Sequence, residues 1–203
     1  MDGTTLGAYE RHAARYADDW EAQPPPDDMY ALLARCFAPG PTADIGCGAG
    51  RDTAWLASHG FEAQGFDASE ALLREARARH PGIAFSRATL PELAGIARGA
   101  WQNVLCETVV MHLEPAHVGP AVRSLRALLR PGGTLYLSWR VTEGESMRDA
   151  AGRLYAAFDA REVRAALEPG DEALVDREDI SASSGKRVHR LVVRAPGGSG
   201  LQT

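Results

Sequence analysis

The chain has 203 residues, 45% hydrophobic and 24% charged, enough for one domain with a sizeable core and short for two. A formal net charge of -5 gives no general electrostatic reason to bind nucleic acid or an anionic membrane. Three widely spaced cysteines, Cys36, Cys47 and Cys106, make neither a disulfide framework nor a zinc pattern, and neither a signal-peptide core nor a membrane-length apolar run is present, so a soluble, reduced, cytoplasmic protein is expected.

Leu6 to Trp20 reads as a helix in which Tyr9, His12, Tyr16 and Trp20 recur on one aromatic face. "QPPPDD" ends it, because consecutive prolines cannot continue a helix. Met29, Leu32, Leu33 and Cys36 mark a second helix, closed by "APGP". Strand and helix then alternate. A strand at Thr42 to Ile45 leads through a glycine loop to a helix that stops near His59-Gly60, with Gly60 in the left-handed C-cap conformation. Glu62 to Phe66 is the next strand, and Ser69 caps the helix "EALLREARARH". "IAFSR" and "WQNVLCE" are the third and fourth strands. Pro115 to Leu129 is a helix striped by Val118, Val122, Leu125 and Leu129, and "RPGG" turns the chain into a fifth strand, "TLYLSW".

The tail changes character. Asp159 and Glu162 form a capping pair for "AREVRAAL", after which "EALVDREDI" and "RVHRLVVRA" make an antiparallel hairpin. The expected fold is α/β, a Rossmann-like doubly wound seven-stranded sheet, mostly parallel with an antiparallel C-terminal hairpin. It divides into an N-terminal helical cap segment (1–38), one ligand-binding domain (39–195) and a flexible tail (196–203).

The chemistry lies in "ADIGCGAGRDTAWLASHG", Ala43 to Gly60. A phosphate loop of the Walker type needs four residues between its glycines and then Lys-Ser/Thr; here Arg51-Asp52 follow Gly50, and Lys186 is the only lysine in the chain. A dinucleotide loop needs a glycine where Arg51 stands. What remains is acidic-x-G-x-G-x-G. Asp44 is suited to accept from an amino group, and Asp67, ending the second strand in "GFDAS", to accept both hydroxyls of a ribose. The alternative is a tight turn with Asp67 as a helix cap; order and spacing together favour a ligand site.

"ADIGCGAG", "GFDAS", "WQNVLCETVVMHL" and "LLRPGGTLYLSW" together resemble the successive motifs of class I S-adenosylmethionine-dependent methyltransferases, over most of residues 40–140. Within that superfamily, "GCGAGRD", "ETVVMHLEP", "RPGG" and "AFDAREVRAAL" resemble the tellurite-resistance group of small methyltransferases. The resemblance makes 39–195 an S-adenosylmethionine-binding methyltransferase domain, with S-adenosylhomocysteine as product. It implies that Gly46, Cys47 and Gly48 run along the methionine part, with Asp44 near its amino group. Asp67 then binds the ribose, Ala68 lies by the adenine, and Thr89 and Leu90 complete the adenine pocket. Cys106 and Glu107 lie near the sulfonium. Tyr16 and Trp20, on the N-terminal helix, then close over the cofactor, with an aromatic core stripe as the alternative; Arg51 is a further pocket candidate, able to clamp a carboxylate. Two departures stand out: "SRATLP" lacks the acidic residue usual after the third strand, and Gln102 replaces the aspartate common at the start of the fourth.

Methyl transfer is an in-line displacement, for which a soft thiolate, selenide or telluride needs little beyond placement, whereas a hydroxyl or ammonium needs a base. His112 is the base candidate, with a loop-holding structural histidine as the alternative. Tyr9 and His12 are substrate candidates on the aromatic face, and Arg140, leaving the fifth strand, is placed to clamp a carboxylate. The expected acceptor is a small molecule, since the chain has no basic belt. A protein or tRNA acceptor, and a non-catalytic cofactor-binding protein, are the alternatives. No metal site, nucleic acid or membrane is expected, and the state is monomer or homodimer.

Overall fold

The computed structural model describes residues 1–198; the part of the expected tail from 199 onward lies outside the described residues. Seven strands make the main sheet: β1 (Pro41–Ile45), β2 (Glu62–Asp67), β3 (Ala84–Arg87), β4 (Trp101–Cys106), β5 (Leu129–Arg140), β8 (Glu172–Ile180) and β9 (Arg187–Arg194). Two short strands, β6 (Met147–Arg148) and β7 (Leu154–Tyr155), form a separate hairpin. The main order is β3-β2-β1-β4-β5-β9-β8. The strands from β3 to β5 pair in parallel, while β9 runs antiparallel to both β5 and β8. The chain order reverses between β1 and β4, and that switch point is where open α/β sheets bind ligands.

Continuous burial along β4 and most of β5 and β9 reflects helical cover on both faces. On one side α5 (Pro115–Leu128) sends Val118, Val122 and Leu125 into a core with Ala43, Ile45 and Leu137. On the other, Leu33 of α2 (Asp27–Cys36) and Leu56 of α3 (Arg51–Ser58) pack against Leu105 and Tyr136. Buried Asn103 ties the approach to β1 onto β4: its Nδ2 donates to the Ala38 carbonyl (2.8 Å) and to Thr42 Oγ1 (2.9 Å).

Three local outcomes differ from the sequence reading. First, β5 begins at Leu129 rather than after "RPGG". Its register against β4 jumps from Trp101↔Leu129 to Asn103↔Thr134, so Arg130–Gly133 is a bulge within the strand. Gln102 secures this bulge, accepting from Arg130 Nε (2.7 Å) and donating to the Gly132 carbonyl (3.3 Å). Second, α1 runs from Gly3 to Ala22 but is kinked at His12 (φ -127°, ψ 25°). The kink leaves His12 exposed, while Tyr9, Tyr16 and Trp20 keep together against Ala71 and Leu72 of α4 (Glu70–Arg79). Third, the β6–β7 hairpin was unforeseen, since no periodicity marks two-residue strands. The capping predictions held: Ser69 Oγ accepts from Leu72 N (3.2 Å), and Asp159 and Glu162 form a capping box at α6 (Ala160–Ala165).

The approach to β8 is stapled to α5 by Arg126, which grips Asp171 with Nε (2.8 Å to each oxygen) and Nη2 (2.7 Å); the Asp171 side chain is 1% exposed. Removing one partner of a buried pair strands the other's charge. Asp171→Ala is expected to lower unfolding stability by about 3 kcal/mol in chemical denaturation.

Candidate active site

A cavity of about 440 Å³ opens at the carboxyl ends of β1, β2, β4 and β5, within the ~300–1,000 Å³ range of small-molecule sites. The glycine loop lines its floor, α1 crosses over it, and Arg153 and Tyr155 at the β6–β7 hairpin join its wall.

The loop's shape is fixed from beneath. Gly46 N and Cys47 N both donate to the Phe66 carbonyl at the end of β2 (2.7 and 3.0 Å). Gly48 N donates to Asp67 Oδ2 (2.9 Å), and Asp67 Oδ1 accepts from Ser69 N (2.8 Å). Glycine is required at two points. At Gly46 (φ +80°) a Cβ would lie 2.2 Å from Val109 Cγ2, and at Gly48 (φ +55°) it would lie 2.8 Å from the Trp20 ring. Both also sit in the left-handed region that side chains disfavour.

Carboxylates crowd this floor. Burial pushes Asp67 upward from the ordinary carboxylate range, against the lowering effect of the backbone N–H groups it accepts from. Glu107, open to the cavity yet deep in the fold, is also raised by burial, although Ser138 Oγ donates to it. Asp44 is not on the cavity wall. It is 2% exposed behind the loop, accepts from Thr53 Oγ1 (2.6 Å), and is pushed up to about 8 by burial and then by the neighbouring Asp52. Arg51 reaches the wall but is held by Asp52 (2.9 Å), which also accepts from the Tyr30 hydroxyl (2.8 Å).

His112 closes the other end. The 3-10 turn Val110–His112 buries its ring, with Nδ1 2.5 Å from the Leu154 carbonyl and Nε2 3.0 Å from the Tyr9 hydroxyl. A carbonyl can only accept, so Nδ1 carries the hydrogen, and Nε2 is left to accept from Tyr9 O–H. Burial lowers His112 to about 4 and raises Tyr9. The pair is therefore neutral imidazole beside phenol.

Of the residues singled out from the sequence, Tyr9, Trp20, Gly46, Cys47, Gly48, Arg51, Asp67, Glu107, His112 and Arg140 meet around this one cavity. Tyr16 lies behind them, stacked on Trp20 (5.8 Å between centroids) and edge-on to Tyr9 (5.1 Å). Ala68, Leu90 and Cys106 are buried away from the wall; Thr89 and His12 are also off it. Sequence reasoning missed Arg153 and Tyr155. Arg153 lies over the Tyr16 ring (4.9 Å) and pairs with Asp149 (2.7 Å), and the Tyr155 ring is 5.3 Å from that of His112. Among the described residues there is no cluster of metal-ligating side chains, and no helix is long and apolar enough to cross a membrane.

Residues 43–133 match a family model described as a methyltransferase domain. A trans-aconitate 2-methyltransferase of Methylobacterium nodulans is 37% identical over 108 residues, covering 51% of this chain and 40% of the relative. A ubiquinone biosynthesis O-methyltransferase of Methylococcus capsulatus is 36% identical over 100 residues, covering 47% and 41%. The chain thus spans well under half of these relatives. Among solved structures, a 1,6-didemethyltoxoflavin-N1-methyltransferase of Burkholderia thailandensis with bound S-adenosylhomocysteine superposes with a TM-score of 0.74. It is 21% identical, covering 95% of this chain and 88% of that one. A SAM-dependent methyltransferase from Anabaena variabilis gives 0.72 at 20% identity, with 96% of each chain covered. The fold is therefore the Rossmann-like fold that these methyltransferase structures share, and the family match falls on the segment from β1 to the "RPGG" bulge.

Asp44 supplies a prediction. Its pKa is about 8 when folded against an ordinary value of ~3.9, so the folded state binds the extra proton between these limits and stability falls as pH rises through them. Asp44→Asn, which has no proton to lose, is expected to gain stability relative to the parent as pH rises from 5 to 8. Denaturation at both pH values checks this; a constant difference would show that Asp44 titrates normally.

Proposed function

We propose that this chain is an S-adenosylmethionine-dependent methyltransferase acting on a small molecule, with the donor along the glycine loop and the acceptor against Tyr9 and His112. The observation that carries the reading is Asp67, which braces the loop through Gly48 N–H while its carboxylate reaches the same cavity as the Tyr9–His112 pair. The residues fit the cofactor. Gly46 and Gly48 give the floor a bare backbone surface, and Asp67 has lone pairs left for ribose hydroxyls. Asp67 and Glu107 set negative charge where a sulfonium is favoured. The relatives named for trans-aconitate and ubiquinone biosynthesis, and the toxoflavin enzyme of like fold, support a small organic acceptor. The motif likeness to the tellurite-resistance group adds sulfur, selenium and tellurium to nitrogen and oxygen as acceptor atoms.

When bound, the cofactor supplies an electrophilic methyl group, and transfer breaks one C–S bond as the acceptor's lone pair forms the new bond. Tyr9, Trp20 and Tyr155 wall the reacting end and exclude water. For a hydroxyl acceptor, the acceptor proton passes to Tyr9 Oη as the Tyr9 proton passes to His112 Nε2, with Nδ1–H fixed by Leu154. With His112 lowered to about 4, the neutral ring needed for this step persists from that pH upward. An acid limb set by His112 therefore falls near 4, well below the ordinary imidazole range.

Calorimetry with S-adenosylhomocysteine tests the donor half. Binding is expected, and Asp67→Ala should weaken it at least tenfold, with Asp67→Asn in between; tighter binding of NAD would overturn the assignment. For the acceptor half, Tyr9→Phe and His112→Gln are each expected to lower kcat for a hydroxyl acceptor by about 100-fold, the low end for lost proton transfer. S-adenosylhomocysteine affinity should stay within threefold. Unchanged kcat in both variants would make the pair a structural brace.

A further inference from the structure

The charges on the cavity wall do not all cancel within the protein. Arg51 is neutralised by Asp52, Arg79 by Asp18 and Glu21, and Arg153 by Asp149. Arg140 is different. It is half-buried, and among the described residues its guanidinium has neither a hydrogen-bond acceptor nor a carboxylate partner; it lies over the Tyr155 ring, 5.0 Å from the centroid. Its backbone is pinned, because Arg140 N donates to Met111 Sδ (3.1 Å) and β5 pairs here with Val188 of β9. Lys186, in the β8–β9 turn, is a second cation on the same wall with no partner among the described residues.

A half-desolvated guanidinium with all its donors unused is costly, and the cost is offset when a planar anion pairs with it. The cavity is also electrically divided. Asp67 and Glu107 lie on the floor, whereas the unpaired cations belong to β5 and the β8–β9 turn. Arg140 and the proposed reacting end share one neighbour, since the Tyr155 ring is 5.0 Å from the Arg140 guanidinium and 5.3 Å from the His112 ring, so the two lie no more than about 10 Å apart.

Building on the methyltransferase reading, we infer that the acceptor is a small carboxylic acid: its carboxylate pairs with Arg140 and its methyl-accepting atom lies within about 10 Å, at Tyr9 and His112. Hydroxybenzoates and short polycarboxylates carry a carboxylate and an acceptor oxygen within that bound. Arg140 is then a specificity-determining residue that touches the acceptor but not the donor. Lys186 adds a longer-range attraction at the mouth that salt will screen.

The test uses the full chain saturated with S-adenosylhomocysteine. 3-Hydroxybenzoate, 4-hydroxybenzoate and tricarballylate are titrated by calorimetry, each beside its amide. At least one acid is expected to bind tenfold or more tightly than its amide. Arg140→Gln should abolish that ratio and Arg140→Lys keep part of it, with S-adenosylhomocysteine affinity within twofold of the parent in both. If S-adenosylhomocysteine binds but no acid is preferred over its amide, or the preference survives Arg140→Gln, the carboxylate subsite is wrong while the methyltransferase reading stands. If S-adenosylhomocysteine itself fails to bind, both fall.

Discussion

The site depends on a short splice between two neighbouring strand ends. The Phe66 carbonyl takes two N–H groups from the glycine loop and the Asp67 carboxylate takes a third, so the last two residues of β2 dictate the path of the chain after β1. With three glycines, such a loop has few side chains to hold it, Cys47 against Leu73 and Phe85 among them, and large conformational freedom to lose. Backbone donors aimed at fixed acceptors on a buried strand supply the order that side chains cannot. The same bonds keep Asp67 in place, with Ser69 N–H gripping its other oxygen. One carboxylate is thus both a brace for the loop and a polar group presented to the cavity, and these roles cannot be separated by replacing it with alanine.

The second constraint comes from α1, which is not a detachable cover. Trp20 fills the space that a side chain at Gly48 would need, and Tyr9 reaches across to His112. The helix is anchored at both ends. Asp2 accepts from Thr5 N, pairs with Arg148 of the β6–β7 hairpin, and Thr5 Oγ1 takes Leu154 N–H (2.9 Å). Near the far end, Arg79 of α4 pairs with Asp18 and Glu21. The Arg79 pairs are solvent-exposed on the acidic side and contribute little each. The firmer hold is the buried contact of α1 with Ala71 and Leu72. Leu154 is a hinge point of the wall, because its N–H secures α1 and its carbonyl orients His112. The Tyr9–His112 pair therefore exists only while α1 and the hairpin are both docked.

Much of this was legible in the sequence, for reasons that differ by element. Alternating strands and helices, the caps at Ser69 and Asp159, and the terminal hairpin are local patterns, and local chemistry sets them. The glycine register excludes a Walker phosphate loop and disfavours a dinucleotide loop, because those ligands demand lysine or glycine at fixed offsets. Side-chain direction was harder. The motif pattern points Asp44 at the ligand, but strand alternation puts it on the opposite face from Ala43 and Ile45, toward Thr53 at the start of α3. His12 shares the helical spacing of the aromatic face, but the helix is kinked at His12 itself and its side chain is exposed. Arg153 and Tyr155 gave no signal because two-residue strands carry no period. They matter only through where the hairpin docks.

The crowding of acidic groups explains why the site is asymmetric. Burial holds Asp44, Asp67 and Glu107 upward, and repulsion from the Asp52 carboxylate adds to it at Asp44 and Glu107. A floor built this way favours a cation over a neutral ligand and disfavours an anion. On the proposed reading the donor enters with a sulfonium cation and leaves with a neutral thioether, so the charge beside Asp67 and Glu107 changes by one during turnover. An anionic acceptor cannot share that floor. It needs a separate cationic surface within reach of the methyl group, and the wall carrying Arg140 and Lys186 supplies one. On the proposed reading, charge separation across the cavity gives two ligands of opposite sign different walls of one cavity, and the in-line approach is left to the groups that place the acceptor atom.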